Sequence, residues 1–136
     1  MYETFEHGAD IGIRGIGNSL EEAFSECAKA MFNVMVDIEN VSPQKLIKFK
    51  TKAPNEKELL IEFLNNLLTQ ADLKNMVFSK FDLIIKNGKI LESWAWGEKI
   101  DSSKHYLKTE VKAATYSMLK VEKNNNKYIA QCVIDV

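Results

Sequence analysis

Two segments of the chain repeat apolar residues at helical spacing, and each follows a residue that can cap a helix. After Ser19, apolar positions recur every three or four residues over 20–35. Ser19 and Glu22 have the spacing of a capping box, in which the hydroxyl accepts a backbone N–H and the carboxylate reaches back to the cap. A second apolar stripe over 60–71 follows Asn55 as its cap. We therefore predict two amphipathic helices, each with one buried face.

The other patterned segments favour β-strands. Asn87-Gly88 is a strong hairpin signal, and the asparagines at 124–126 predict a second turn. The predicted strands cover residues 2–6, 11–16, 46–52, 81–85, 90–96, 112–121 and 127–133. Together the elements indicate an α+β fold, a single domain over 1–136 with a largely antiparallel sheet and the two helices packed on one face.

The segment 97–109 interrupts this pattern. It is long, polar and without periodicity, and such loops are uncommon in compact domains unless they are functional or mobile. His105 lies within it, and we expect this histidine to be an ordinary polar loop residue.

Composition limits the classes of partner. The 136 residues carry 18 Lys and Arg against 19 Asp and Glu, a net charge of −1. Non-specific nucleic-acid affinity depends on many cationic contacts to phosphates, so no stable DNA binding is expected. Arg14 is the only arginine, which argues against direct RNA reading because guanidinium is the preferred group for bidentate recognition. Composition does not exclude a local patch of basic residues on the surface.

The N-terminal residues 1–10 lack the apolar segment of a secretory signal, and no run approaches the about 20 apolar residues of a membrane span. We therefore expect a cytoplasmic protein with no membrane partner. Cys27 falls on the apolar face of the first predicted helix and Cys132 in the last predicted strand. Both are expected to be core thiols, with neither a disulfide nor a nucleophilic role.

No catalytic template fits the chain. The glycines over 12–17 match neither a P-loop nor a dinucleotide fingerprint, and no pair of cysteines or histidines has zinc-ligand spacing. His7 lies three residues before Asp10, so it could orient or tune this acid, act as a base, or be a structural histidine at a strand end. Asp10 by itself fits a turn-forming aspartate.

Two further residue types need an interpretation. Trp94 and Trp96, two residues apart beside the predicted hairpin, could stack on bases, but packing in the core or on a sheet face is favoured. Lys112 opens a predicted strand, where a lysine is usually solvated. A functional role for Lys112 is indicated only if it lies near carboxylates, where it could balance their charge or contact a partner.

Four segments, in order along the chain, resemble the motifs of the archease family. They are residues 5–12 (FEHGADIG), 93–98 (SWAWGE), 109–116 (TEVKAATY) and 133–136 (VIDV). The capped helix after Ser19 is similar to that family as well. Gly8 stands where family members usually carry threonine, so a hydroxyl that could support the Asp10 turn is missing.

The resemblance implies an accessory protein of RNA ligation that is not itself an enzyme. The implied partner is an RtcB-type RNA ligase, which joins tRNA halves after it is guanylylated on a histidine with GTP and a divalent metal. Members of the archease family promote this guanylylation, permit multiple turnover, and widen the range of nucleotides that the ligase accepts. The involvement of tRNA is therefore indirect.

The resemblance also implies a metal site formed by Asp10, Asp135 and Val136. Val136 would contribute main-chain oxygens, because its side chain has no donor atom. About three negative charges brought together repel one another unless protons or a cation neutralise them. Oxygen ligands favour Ca²⁺, with Mg²⁺ as the alternative. Lys112 is implicated in activity, and it would either balance the acids or present a cation to the ligase.

Two other functions remain open at this stage. The same acids could serve a metal-dependent hydrolase with His7 as its base. Alternatively, the chain could be an RNA-binding module whose surface combines Trp96, Lys112 and the segment 97–109.

Overall fold

The computed structural model describes all residues 1–136 and contains eight strands and two α-helices. The strands are β1 (Tyr2–His7), β2 (Asp10–Gly17), β3 (Lys45–Lys52), β4 (Met76–Lys86), β5 (Ile90–Lys99), β6 (Ala113–Ala114), β7 (Lys120–Asn124) and β8 (Lys127–Asp135). The helices are α1 (Leu20–Met35) and α2 (Glu56–Lys74). Every strand pairing is antiparallel, so the α+β class is confirmed.

Both helices begin at the predicted caps. The Ser19 hydroxyl accepts the N–H of Glu22 at 3.1 Å, and the Asn55 side chain accepts the N–H of Glu58 at 2.9 Å. The expected return bond from the Glu22 carboxylate to the cap is not formed. Neither helix combines the length and the apolar character that crossing a membrane requires.

The strands divide between two sheets, where the sequence pattern had indicated one. The five-stranded sheet has the order β1-β2-β8-β6, with β7 also paired to β8, and the three-stranded sheet has the order β3-β5-β4. Helix α1 packs against both sheets. Its Phe32 ring lies 5.4 Å from that of Phe78 in β4, and its backbone approaches Gly15 of β2 so closely that a Cβ there would meet Ala23. The helices and both sheets therefore share one hydrophobic core.

The predicted strand over 112–121 is wrong, because it is broken into β6 and β7. Ala114 pairs with Ile134 and Lys120 with Gln131, so residues 115–119 lie opposite only two residues of β8. Met118 has a φ of 55°, a left-handed conformation that belongs to turns and not to strands. The chain bulges away from β8 at this point and then rejoins it.

The two predicted turns are confirmed. Asn87 and Gly88 have φ values of 56° and 67°, both left-handed as in a type I′ turn, and the N–H of Lys89 donates to the carbonyl of Lys86 at 3.1 Å. Lys86 pairs with Ile90, so the hairpin loop contains three residues. Asn125 has a φ of 58° and lies between β7 and β8. Asparagine tolerates this left-handed conformation better than most residues.

Candidate functional site at the strand ends

Four of the residues singled out from the sequence meet at one end of the five-stranded sheet. His7, the last residue of β1, pairs with Asp10, the first residue of β2. The register of β2 with β8 ends with Ile11 opposite Ile134, so Asp10 and Asp135 are the next residues of the two strands, and the N–H of Val136 donates to Oδ1 of Asp10 at 3.5 Å. We call these four residues the strand-end cluster. Antiparallel pairing brings them together although Asp10 and Val136 are 126 positions apart.

The acids of the strand-end cluster have no counter-ion within the protein. Asp10 is half-buried and Asp135 is exposed. None of the salt bridges of the structure involves Asp10, Asp135 or Val136. No lysine, arginine or histidine of the chain therefore neutralises these two acids.

His7 is opposite Asp10 in the β1–β2 pair, but its imidazole ring forms no hydrogen bond with the Asp10 carboxylate. Its side chain is exposed. The expected tuning of Asp10 by this histidine therefore has only proximity to support it, and no contact fixes the orientation of the ring.

Gly8 occupies a turn position whose backbone conformation favours glycine. The turn between β1 and β2 consists of Gly8 and Ala9, and only Gly8 has a positive φ, of 61°. Glycine at the first central position with a positive φ is the pattern of a type II′ turn. A side chain at this position would meet no neighbour but would strain the backbone.

Lys112 borders the cluster through its backbone, since its N–H donates to the carbonyl of Asp135 at 2.8 Å. Its exposed side chain, however, lines a groove of about 510 Å³ between α2 and the segment 110–112, and it forms no salt bridge. No ion pair thus joins this lysine to the acids.

Asn65 is a positioning residue that sequence reasoning missed. Its side-chain oxygen accepts the N–H of Ala114 at 2.8 Å, and its amide nitrogen donates to the carbonyl of Ala114 at 3.2 Å. These two bonds tie α2 to β6 and so hold the segment that carries Lys112. A polar residue on an amphipathic helix has no local signal for such a bond.

A second group of charged residues, Glu98, Asp101, Lys104 and His105, anchors the segment 97–109. We call it the loop cluster. The His105 side chain is fully buried, so the expectation of an ordinary polar loop residue was wrong. Nδ1 of His105 accepts the N–H of Asp101 at 3.0 Å, which assigns the ring proton to Nε2, 3.1 Å from the Glu98 carboxylate.

Glu98 is the centre of the loop cluster. Its carboxylate accepts the N–H of Ser42 at 2.6 Å and the ammonium group of Lys104 at 2.7 Å, in addition to His105. Burial by itself raises the pKa of Glu98, but the bonds from Lys104, Ser42 and His105 outweigh this effect and lower the pKa to about 2. The segment 97–109 is therefore fastened to the end of β5 by a paired network.

Cys27 and Cys132 are free thiols in the core, as predicted. Burial raises the pKa of Cys27 well above its usual value and that of Cys132 to about 12. Both thiols are protonated at neutral pH and are poor nucleophiles.

Comparison with known proteins decides the family. The archease protein family (MTH1598/TM1083) matches residues 2–136. The archease of Sulfurisphaera tokodaii is 43% identical over 136 residues, which cover 99% of this chain and 98% of that protein. The chain belongs to the archease family. The resemblance found in the sequence is thereby confirmed.

Solved structures agree with the archease fold. The solution structure of Methanobacterium thermoautotrophicum protein 1598 matches with a TM-score of 0.81 at 31% identity, covering 99% of this chain and 98% of that one. A Thermotoga maritima archease, described as a possible chaperone, matches with a TM-score of 0.63 at 20% identity, covering 100% and 98%. The second likeness supports the fold alone.

The strand-end cluster of this archease family member fits a hard cation by its donor chemistry. No three His, Cys, Asp or Glu side chains lie close enough together to hold a metal ion. Asp10 and Asp135 provide two acids, and the third expected donor is the main chain of Val136. All these donors are oxygens, the ligands that Ca²⁺ and Mg²⁺ prefer.

Proposed function

We propose that this protein is an accessory protein of an RtcB-type RNA ligase that joins tRNA halves. In this role it promotes guanylylation of the ligase, permits multiple turnover and broadens the nucleotides that the ligase uses. Membership of the archease family over residues 2–136 is the observation that carries the proposal. The open, acidic strand-end cluster supports it, because unpaired charge at a surface is available to a partner.

In the same proposal, Asp10, Asp135 and the main-chain oxygens of Val136 hold a divalent cation, with Ca²⁺ preferred and Mg²⁺ as the alternative. A bound cation supplies positive charge at an accessible end of the sheet. The acids of the chain hold that charge in position. The lack of any ion pair to these acids supports the assignment, since a lysine or arginine beside them would already neutralise the site.

Lys112 has a separate part in the proposal. Its backbone N–H donates to the carbonyl of Asp135, and its exposed side chain forms no salt bridge with any acid. We assign it to contact with the ligase, whose recognition would then combine a bound cation and a lysine. Asn65 supports this contact indirectly, through its two bonds to Ala114.

We propose no hydrolytic activity for the isolated protein. A hydrolase would need an activated water beside a positioned base, and no hydrogen bond orients His7 toward Asp10. The protonated core thiols offer no alternative nucleophile. Purified protein, supplied with Ca²⁺ or Mg²⁺, should leave phosphodiester and nucleotide substrates intact.

Reconstitution with the ligase of the same organism tests the proposal. The assay contains ligase, GTP, divalent metal and an excess of RNA halves, with or without an equimolar amount of this protein. We expect the protein to increase guanylylated ligase and to raise the number of ligated products per ligase above one. A second arm replaces GTP with other nucleotides. The proposal is wrong if neither guanylylation nor turnover changes.

A further inference from the structure

The outward side of the three-stranded sheet is left uncovered by the rest of the chain. Along β5, Ser93, Ala95 and Gly97 face inward and are buried, whereas the alternate residues Trp94 and Trp96 face outward and are half-buried. We call this outward side of β3, β4 and β5 the tryptophan face. A contiguous group of apolar side chains left at the surface, with polar residues around it, is a candidate binding site.

The tryptophan face has a local excess of positive charge in a chain whose net charge is −1. Its lysines are Lys48, Lys50, Lys52, Lys80 and Lys86. Its acids are Asp82 and Glu92, and the Glu92 carboxylate lies 3.7 Å and 3.8 Å from the amines of Lys50 and Lys86. These lysines are more than half exposed, so both pairs are weak. The basic patch that composition left open is therefore present.

Each tryptophan has a lysine opposite it on one neighbouring strand, while the other neighbour is Asp82 for Trp94 and Leu46 for Trp96. Lys48 of β3 is opposite Trp94, and Lys80 of β4 is opposite Trp96. The amine of Lys80 lies 4.7 Å above the Trp96 ring, a cation–π contact that fills the ring face in the free protein. A flat, negatively charged ligand could replace this contact. It would stack on the Trp96 ring, and the displaced Lys80 amine would form an ion pair with the negative charge of the ligand.

The spacing of the rings suits consecutive bases. Residues two apart on a strand are separated by about 6.6–6.8 Å, so Trp94 and Trp96 offer two neighbouring platforms on the central strand. Stacking on aromatic side chains is a main source of single-strand affinity, and it tolerates any base because each has a π-face. Lysines on both flanking strands would lie along the phosphates.

We propose that the tryptophan face binds a single strand of RNA, with bases stacked on Trp94 and Trp96 and phosphates beside the surrounding lysines. A protein partner fits less well, because lysine is depleted in the buried centres of protein interfaces and here it flanks both rings. The choice of RNA over DNA rests on the proposed function. The arguments from stacking and charge are independent of that function.

This surface differs from the one expected from sequence for an RNA-binding module. That expectation combined Trp96 with Lys112 and the segment 97–109. In the structure, Trp96 belongs to the three-stranded sheet, whereas Lys112 adjoins the five-stranded sheet and lines the groove beside α2. The lysines that accompany Trp96 come instead from β3 and β4.

Tryptophan fluorescence provides a direct test, because the two tryptophans of the chain are both on this face. A short single-stranded RNA of mixed sequence is titrated into the protein alone. We expect saturable quenching and a plot of log K against log salt with a slope of about −2 to −3, corresponding to three or four phosphate contacts. No saturable change at low salt would overturn the proposal.

Matched charge reversals locate the binding surface. Lys48→Glu with Lys50→Glu changes the tryptophan face, while Lys57→Glu with Lys120→Glu makes the same change in net charge at exposed positions of α2 and β7. With labelled RNA, we expect the first pair to weaken binding about tenfold and to reduce the salt slope. The control pair should have a much smaller effect. Equal weakening by both pairs would overturn the proposal.

The remaining arms distinguish the occupants. Trp96→Leu, checked for folding by circular dichroism, should weaken RNA binding about tenfold through lost stacking. Tighter binding of single-stranded DNA than of RNA would contradict the assignment of RNA. If RNA fails to bind, but the Lys48 and Lys50 variant loses binding to the ligase, the face docks a protein and the proposal is wrong. Since the RNA titration contains no ligase, its failure leaves the ligase proposal intact.

Discussion

The strand-end cluster and the loop cluster both combine a histidine with two acids. They differ in whether the acids are paired with donors of the protein. In the loop cluster, Glu98 accepts bonds from three donors, and the buried His105 ring uses both nitrogens. In the strand-end cluster, Asp10 receives one long bond and Asp135 has no ion pair. Donors of the protein itself pair with the Glu98 carboxylate, whereas the acids of the strand-end cluster have no counter-ion in the chain.

The contrast indicates which cluster stabilises the fold and which is available for binding. A partly buried carboxylate whose oxygens already accept several hydrogen bonds adds stability and has little capacity left for a further ligand. Adjacent carboxylates without counter-charge contribute little to stability and gain most from an external cation. Changes in the two clusters should therefore affect different measurements.

The largest effect is expected for Asp135→Ala. Removing one acid from the strand-end cluster should abolish stimulation of the ligase, because too few oxygen donors remain to hold a cation. The free energy of unfolding should change by less than about 0.5 kcal/mol, since the residue is exposed. Asp10→Ala should abolish stimulation in the same reconstituted ligation assay.

Glu122→Ala is the matched control for this change, because Glu122 is exposed on β7 and has no salt bridge. It should leave stimulation intact. If Asp135→Ala stimulates the ligase as well as the wild type does, the strand-end cluster is not the binding site and the contrast between the two clusters is wrong.

Glu98→Gln should act in the opposite way. The amide keeps the shape of the side chain but removes the charge that Lys104 and His105 contact, so the free energy of unfolding should fall by about 1–3 kcal/mol. Denaturant unfolding measures this loss, and ligase stimulation should persist wherever the variant is folded. Glu92→Gln on the same strand is the control, because its lysine pairs are exposed and should contribute under about 0.5 kcal/mol. Equal losses would contradict the central role of Glu98.

The Glu98 carboxylate should also control how the free energy of unfolding changes at acid pH. Because the folded pKa of Glu98 is lowered to about 2, its contribution is complete above the unfolded glutamate pKa of about 4.3 and is lost as the pH falls through about 2. Unfolding curves across this window should decline more steeply for the wild type than for Glu98→Gln. Parallel declines would show that other groups control acid unfolding.

The smallest effect is expected at the turn of the strand-end cluster. Gly8→Thr introduces a β-branched residue at a φ of 61°, so stability should fall by about 1–2 kcal/mol. Gly8→Ala isolates the backbone strain, because a Cβ at this position meets no neighbour. A rise in thermal stability with threonine would mean that its hydroxyl supports the Asp10 turn after all.

Local sequence signals were sufficient for the helices and tight turns. Ser19 and Asn55 cap the helices directly, and Asn87-Gly88 has the conformation its turn type needs. The break between β6 and β7 could not be predicted in this way, because methionine rarely adopts the left-handed conformation found at Met118. Nothing local indicated the burial of His105, a polar residue in a polar segment.

Long-range pairing accounts for the rest. The meeting of Asp10 with Val136 depends on β2 and β8 adopting one register, which no local pattern encodes; family resemblance identified the residues. The sequence pattern also did not predict that Trp94 and Trp96 face outward from the three-stranded sheet. Along β5 the small residues Ser93, Ala95 and Gly97 are buried, whereas Trp94 and Trp96 are half-buried.

Calorimetric titration of Ca²⁺ into the isolated protein tests the central claim most directly, because the proposal makes the strand-end cluster a cation site independent of ligase activity. We predict one saturable Ca²⁺ site per chain, lost in Asp135→Ala and kept in Glu98→Gln, with Mg²⁺ titrated in parallel as the alternative ion. Absence of binding to the folded wild type, or equal binding by Asp135→Ala, would contradict the account.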